Sequence, residues 1–585
     1  MRHSNNPKQI PLFDPDLAGY SEVALRRLQE SWPGIFRHCI LELMPVDMIE
    51  DRFHEYMGRP TKELYSMCGL VFLMEFQDWT NEKAADAYMF DSRVHFALNL
   101  GHDRLSMTSR TIERYRALFR EAKCASSVME RVTRRLVELL GTSVERQRLD
   151  STHVFSNMAL FGRTRLMRIV VRRFLTQLKR HEATSFDELP ADLRARYEQK
   201  NWEFSASKGS QVAREEIAED MLALITRFEG IPSVSDRTTF KHLVRCFHEQ
   251  CELVGDKVAL RKKPGNTVLN NPSDPDATYD GHKGVGYQVQ VSETCDEQNE
   301  VQLVLAAIPQ TACEQDQDAV GKVLDHLEEA GNKPETLLAD SGYGSDANHC
   351  ECAERGVDLI APVNNGGRNK NRFFIEHFEL AADNTVLRCP TGKTPSLAHY
   401  DAENGRGSAS FDAEICSTCE HFDRCPVHKN RLKFRIKYTA KHLRLAQRRG
   451  HFATPECKEQ YAPRSGIEGT FSRAKSVMGL GRLRVRGMTA VSMAMLLKLA
   501  GINILRALGS QAMQEHLAKA PGMSILKGHL QRLNSFALYA GPLLARMLSR
   551  NIRPWPPGYE SIALETGRRQ HPDNAIPPAG LLLSG

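Results

Sequence analysis

Across the 22 residues from His428 to Arg449 the chain has nine Lys or Arg and not one Asp or Glu. Without neighbouring acids the run cannot be a ladder of local ion pairs, which leaves a solvated face or contact with a polyanion. The opening MRHSNNPKQIPLFDPDL has no apolar h-region, so no secretory signal is expected. No long apolar stretch is free of charge either. The best candidate, TAVSMAMLLKLAGINILRAL, is interrupted by Lys498 and reads as a buried helix, so no membrane partner is expected. Internal repeats and low-complexity tracts are also missing, which points to ordinary globular domains.

What is present fits a soluble, multidomain protein. The 585 residues allow roughly three or four domains. Charged residues at 26% and hydrophobic residues at 41% describe a globular chain with a sizeable core. A net charge of only +6 means that partners must be argued from where the charge sits. The 14 cysteines, with no secretory signal, point to a reducing cytoplasmic compartment, where clustered cysteines bind metal more often than they form disulfides.

Apolar spacing divides the chain. Residues 1–145 read as a helical N-terminal domain. Ser109 or Thr111 caps one helix, and Arg110, Arg114 and Arg116 suit either a DNA-binding head or solvated surface. Residues 146–157 and 280–363 are read as one α/β domain, in which Gln147 to Val154 form a strand carrying Asp150, and residues 158–279 are a helical insertion and linker. In that series ETLLAD is a short strand ending in Asp340, and Ser345 caps the helix after it. Residues 364–450 are a cysteine-containing basic insertion, residues 451–550 a Glu468 helix with C-terminal helices, and residues 551–585 a loose tail. The fold class expected is α/β.

Asp150, Asp340 and Glu468 lie on separate elements that could meet at one sheet edge, where such sheets place their chemistry. Oxygen ligands of this kind suit Mg2+, and a pair of such ions about 4 Å apart serves phosphodiester chemistry. Blander readings exist. Asp340 precedes the turn-like Ser-Gly-Tyr-Gly, and Ser465-Gly466-Ile467-Glu468 matches a capping box. Against the second, Ile467, Phe471, Ala474 and Met478 form the apolar face of the helix, leaving Arg464, Glu468 and Lys475 on another.

Two further patterns belong to the basic insertion. In RLKFRIKY, Arg431, Lys433, Arg435 and Lys437 alternate with Leu432, Phe434, Ile436 and Tyr438, giving a strand one basic and one apolar face. HLRLAQRR continues the charge, and Arg482, Arg484 and Arg486 repeat the alternation. Such strips suit DNA phosphates. Cys389, Cys416, Cys419 and Cys425 either hold a structural Zn2+, with His421 or His428 as substitutes, or stay as reduced thiols.

Tyr461, Arg464, Glu468 and Lys475 stand at the Y-(2)-R-(3)-E-(6)-K spacing, and this resembles the motif of bacterial insertion-sequence transposases of the insertion-sequence-four superfamily. LDSTHVFSN and LLADSGYGSDAN resemble that superfamily's two Asp strands. DPDATYDGHKGVGYQVQVSET looks nearest to its eleven-eighty-two group. The resemblance implies an RNase H-like core in which Asp150, Asp340 and Glu468 bind two Mg2+ or Mn2+ ions. It assigns Tyr461, Arg464 and Lys475 to the DNA near the cleaved end. Implied partners are the element's terminal inverted repeats and target DNA, bound by a homodimer in the bacterial cytoplasm at the nucleoid. The alternative is a transposase-derived DNA-binding protein without chemistry; a non-transposing nuclease would share the triad.

Overall fold

The computed structural model describes residues 1–9, 20–100, 106–198, 210–255, 257–363, 372–430 and 433–520. Arg431, the loose tail and the helices expected beyond residue 520 lie outside them. The architecture is mixed α/β, built round one large sheet.

Its strands are β1 (Arg146–Val154), β2 (Thr278–Asp280), β3 (Gly284–Thr294), β4 (Val304–Thr311), β5 (Thr336–Ala339) and β6 (Asp358–Ile360). β1 lies between β3, which runs antiparallel to it, and β5, which runs parallel. β4 pairs antiparallel with β3, and β6 pairs parallel with β5. The order across the sheet is therefore β4-β3-β1-β5-β6, with β2 pairing the first residues of β3. The last pair between β1 and β5 is Leu149 with Ala339, so Asp150 and Asp340 are the next residue on each of two adjacent parallel strands. Ligand sites collect at this carboxyl end of parallel strands.

Helices α1 (Leu64–Phe76), α2 (Ser109–Glu121) and α3 (Cys124–Leu140) precede the sheet. The cap of α2 is Thr108 and not Ser109 or Thr111 as expected from sequence: Thr108 Oγ1 accepts from Thr111 N. Of its arginines, Arg116 pairs with Glu75 at 2.9 Å, while Arg110 and Arg114 stay exposed. α4 (Arg163–His181), α5 (Ser210–Phe228) and α6 (Thr238–Gln250) belong to the long connection from β1 to β2 and have their own core round Phe174, Phe228 and Phe240.

After β4 come α7 (Val320–Glu329) and α8 (Asp346–Glu354), the latter capped by Ser345 Oγ as its sequence indicated. A second sheet follows, β7 (Leu397–Asp401), β8 (Arg406–Asp412), β9 (His428–Asn430) and β10 (Lys433–Thr439), in the order β7-β8-β10-β9. Then come α9 (Ala440–Ala453), α10 (Gly466–Met478) and α11 (Met488–Ala507).

One hydrophobic core runs from α1 and α3 through β1, β3 and β4 to α10 and α11. α11 is long and apolar enough to cross a membrane by length and composition, yet most of it is buried inside this core. Lys498 is 1% exposed there; its ammonium reaches Met478 O at 2.6 Å, Asp78 Oδ1 at 3.0 Å and Glu75 O at 3.1 Å. A buried cation is tolerable when it is paired and hydrogen-bonded in this way.

Candidate active site

Arg464 gathers the three acids. Its Nη2 donates to Asp150 Oδ2 at 2.8 Å and stands 3.6 Å from Asp340 Oδ2, while Nη1 is 3.5 Å from Glu468 Oε1. The site grades outward: the Asp150 and Arg464 side chains are each 15% exposed, Asp340 39% and Glu468 70%. Burial lifts the Asp150 carboxyl to about 6. Arg464 and the Ser151 amide, which donates to Asp150 Oδ1 at 2.8 Å, pull it down, while the charges of Asp340 and Asp316 push it up. A carboxylate repelled by its neighbours binds cations well, and a cation already lies among these.

Glu468 is not a cap. Ser465 has helical dihedrals and makes no side-chain cap bond; its hydroxyl donates to Ala462 O at 3.2 Å. The 3-10 turn Ala462–Ser465 runs straight into α10, so a capping box has no place to form. Ile467, Phe471, Ala474 and Met478 are buried, as their spacing requires, and Glu468 and Lys475 are exposed. Tyr461 is half-buried over Leu338 and Ile360, its ring edge-on to Phe452 at 5.0 Å. Burial raises its phenol pKa, Arg464 opposes the rise, and Asp340 and Asp150 add to it. The pKa of Lys475 is lowered, first by burial and then by the charge of Lys283.

Two features were not read from sequence. Asp316, just before α7, is a fourth carboxylate here: its Oδ1 accepts from Gln290 Nε2 at 2.9 Å. A methyl on Gly342 would stand 2.9 Å from Asp340 Oδ1 and 3.7 Å from Asp316 Oδ2, so glycine keeps room between them. Its only sequence signal was an acid near the start of a helix.

The second is a buried lock between β1 and α10. Glu293, fully buried on β3, accepts from Arg148 Nε at 2.7 Å, Arg506 Nη1 at 2.8 Å and Thr470 Oγ1 at 2.7 Å. Arg148 Nη1 also donates to Pro463 O at 2.6 Å, beside Arg464. Arg148 lies two residues before Asp150 on the same face of β1, so one guanidinium ties the strand that carries Asp150 to the turn that opens α10.

The basic strip is partly spent inside the fold. On β10, Phe434, Ile436 and Tyr438 are buried and Lys433 and Lys437 are exposed, as the alternation predicts. Arg435 is half-buried and donates to Ser410 Oγ at 3.1 Å. On α9, however, Arg444 and Arg448 both reach Asp346 at 2.6 Å, and Arg449 reaches Glu376 at 2.6 Å. These acids come from far along the chain, so an acid-free stretch did not mean acid-free surroundings. Arg484 and Arg486 are tied as well, to Asp78 and to Asn157 O.

Cys389, Cys416, Cys419 and Cys425 line one apolar pocket together with His421, Phe411 and Phe422. Burial pushes the Cys416 thiol up to about 11, and the other three cysteines add to the rise. Among the described residues no three His, Cys, Asp or Glu side chains are drawn tightly enough together to cage a metal ion as they stand. At the acidic site the guanidinium of Arg464 lies between the carboxylates.

The site thus combines acids at the ends of two parallel strands with a facing acid on a helix. Residues 388–508 match the family model of a transposase DDE domain. That stretch holds Tyr461, Arg464, Glu468, Lys475 and the four cysteines; Asp150 and Asp340 precede it. No curated protein matches the chain. Among solved structures, a piggyBac transposase synaptic complex with hairpin DNA is similar at a TM-score of 0.27 and 10% identity, over 94% of this chain and 90% of that one. A likeness of that size carries no argument about this protein.

Proposed function

We propose that the protein is a DDE transposase that cuts and rejoins the DNA ends of a bacterial insertion sequence of the insertion-sequence-four superfamily, near its eleven-eighty-two group. The observation carrying this is that one guanidinium touches Asp150, Asp340 and Glu468, acids 190 and 128 residues apart in the chain. The matched DDE domain over residues 388–508 supports it independently. The strand order β4-β3-β1-β5-β6, three antiparallel strands followed by two parallel ones, supports an RNase H-like core.

The donor set is all oxygen and already surrounds a positive group, which fits Mg2+ or Mn2+. Asp150, Asp340 and Glu468 would hold these ions. Bound there, they supply Lewis acidity at the phosphate and a lowered pKa for the attacking hydroxyl. Arg464 neutralises the acids in the DNA-free protein and grips phosphate when DNA arrives. Tyr461 closes the wall of the site, and Lys475 with Lys433, Arg435 and Lys437 of β10 contact the DNA backbone. Arg431 belongs to the same proposed strip. The four cysteines would hold a structural Zn2+ under β8 and β10. Acting on two ends at once requires two active sites, so a homodimer on DNA in the cytoplasm belongs to the proposal.

The test is Mg2+-dependent cleavage of a labelled fragment carrying the DNA that flanks this gene, comparing wild type with Glu468→Gln. The variant removes the charge and keeps the size. Cleavage by wild type, and binding without cleavage by a folded variant, supports the reading. Equal cleavage removes Glu468 from the site. Binding without cleavage by both favours a DNA-binding protein that has lost chemistry.

A further inference from the structure

Phe155, just past the end of β1, is the centre of a second basic cluster. Its amide donates to Gly481 O at 3.0 Å and its carbonyl accepts from Leu483 N at 2.8 Å. This bridge places Arg482 beside it, the guanidinium 5.9 Å from the Phe155 ring centre. A methyl on Gly481 would touch Lys475 Cγ at 3.4 Å, and one on Gly284 would touch the Phe155 ring at 3.9 Å. The turn between β2 and β3 that carries Lys283 therefore runs past the Phe155 ring, Lys475 lies beside the Gly481 backbone next to Arg482, and the charge of Lys283 is close enough to lower the Lys475 pKa.

The turn is fixed rather than loose, because Asp280 Oδ1 accepts from the amides of His282 at 2.8 Å and Lys283 at 2.6 Å. That bonding turns one Asp280 oxygen to the backbone, while the charge of Asp280 still reaches Lys283. Lys283, Lys475 and Arg482 are all exposed, and among the described residues none of them forms an ion pair with an acidic side chain. Arg484 and Arg486, in the same run as Arg482, are both tied down. The charges of Lys283 and Lys475 also reach the buried His153 ring beneath, whose pKa is lowered by burial and then by Lys283, with Asp280 opposing. Three cations, with Asp280 as the acid whose charge reaches Lys283, keep a net positive charge, an arrangement suited to an anion that arrives from outside.

We propose that Lys283, Arg482 and Lys475 form a seat for the DNA backbone, with Lys283 and Arg482 as phosphate-binding residues outside the four-residue motif. Lys475 lies seven residues beyond Glu468 on α10, about 10 Å at 1.5 Å per residue. Phosphates on one strand follow each other at an axial spacing of about 3.4 Å, so a separation of this size is within reach of one duplex that also meets the acids. The inference rests on the reading that the protein acts on DNA, and it specifies where the duplex leaves the active site.

The experiment is fluorescence anisotropy of a fluorescein-labelled 40-base-pair mixed-sequence duplex with the full chain across a KCl series. Wild type is compared with Lys283→Gln, Arg482→Gln, the double variant and Lys283→Arg. Each Gln is expected to lower the slope of log K against log salt by about 0.9, an affinity loss of about eightfold at 0.1 M KCl. Lys283→Arg is expected to keep the wild-type slope. Thermal unfolding should not move, since neither side chain is buried or paired with an acid. If wild type binds and the double variant binds with the same slope and affinity, the seat is overturned while the DNA reading stands. If wild type shows no salt-dependent binding, both are overturned.

Discussion

Replacing Glu293 by Ala tests whether the buried lock holds the two halves of the site together. Its carboxylate is fully buried, and the Arg148 and Arg506 side chains that it faces are 9% and 15% exposed. Alanine leaves two largely buried guanidinium groups without an anion, and breaking a buried pair in this way costs about 3–5 kcal/mol. With a urea slope of at least about 3 kcal/mol per molar for a chain of this size, the midpoint should fall by about 1 M. Urea unfolding followed by intrinsic fluorescence measures it. Replacing Arg148, Glu293 and Arg506 together with Met should recover most of the loss, because an ion cluster can be exchanged for packing at little net cost. A Glu293→Ala variant within about 0.5 kcal/mol of wild type, the range of a surface substitution, would refute the lock.

Gly466→Ala sets two effects against each other. Residue 466 has helical dihedrals, so alanine alone should stabilise α10 by about 1 kcal/mol. The added methyl would stand 2.7 Å from Arg148 Cζ and push that guanidinium off Glu293 and Pro463 O, so net destabilisation of about 1–3 kcal/mol in urea is expected, with cleavage lost. Lys498→Met should cost about 3 kcal/mol in the same assay, because Glu75 and Asp78 lose a shared buried cation. His38 has its pKa lowered to about 4, by burial first and then by Arg37 and His516. Its folded pKa is below the unfolded value, so its stabilising contribution is present above about pH 6.5 and lost as the pH falls towards 4. His38→Gln should flatten that part of a pH–stability profile measured by thermal unfolding.

The readable parts of this fold were those in which chemistry or periodicity repeats locally. Ile467, Phe471, Ala474 and Met478 predict the buried face of α10, and Phe434, Ile436 and Tyr438 that of β10, because spacing along one element fixes which side meets the core. Asp340 could be placed at the end of its strand from ETLLAD alone. The charges were harder to read. Arg444 and Arg448 look free in a stretch without acids, yet Asp346, about a hundred residues earlier, neutralises both. A charge run describes neighbours in the chain, and pairing is decided by neighbours in space.

The same distinction explains why the acids of the proposed site stand out in the sequence and their supports do not. Asp150, Asp340 and Glu468 must be carboxylates for any metal chemistry, so residue type exposes them. Glu293 looks like one polar residue among several in YQVQVSET, and Arg148 like one basic residue among several in ERQRLD. Their roles exist only because β1 and β3 pair with Arg148 opposite Glu293 and because α10 then covers that pair with Thr470. That cover also orients Arg464, since Arg148 holds the carbonyl of the residue before it. The charged centre of the site is thus positioned by a second charged cluster one layer deeper. A substitution in that cluster should change the chemistry without touching any of the three acids.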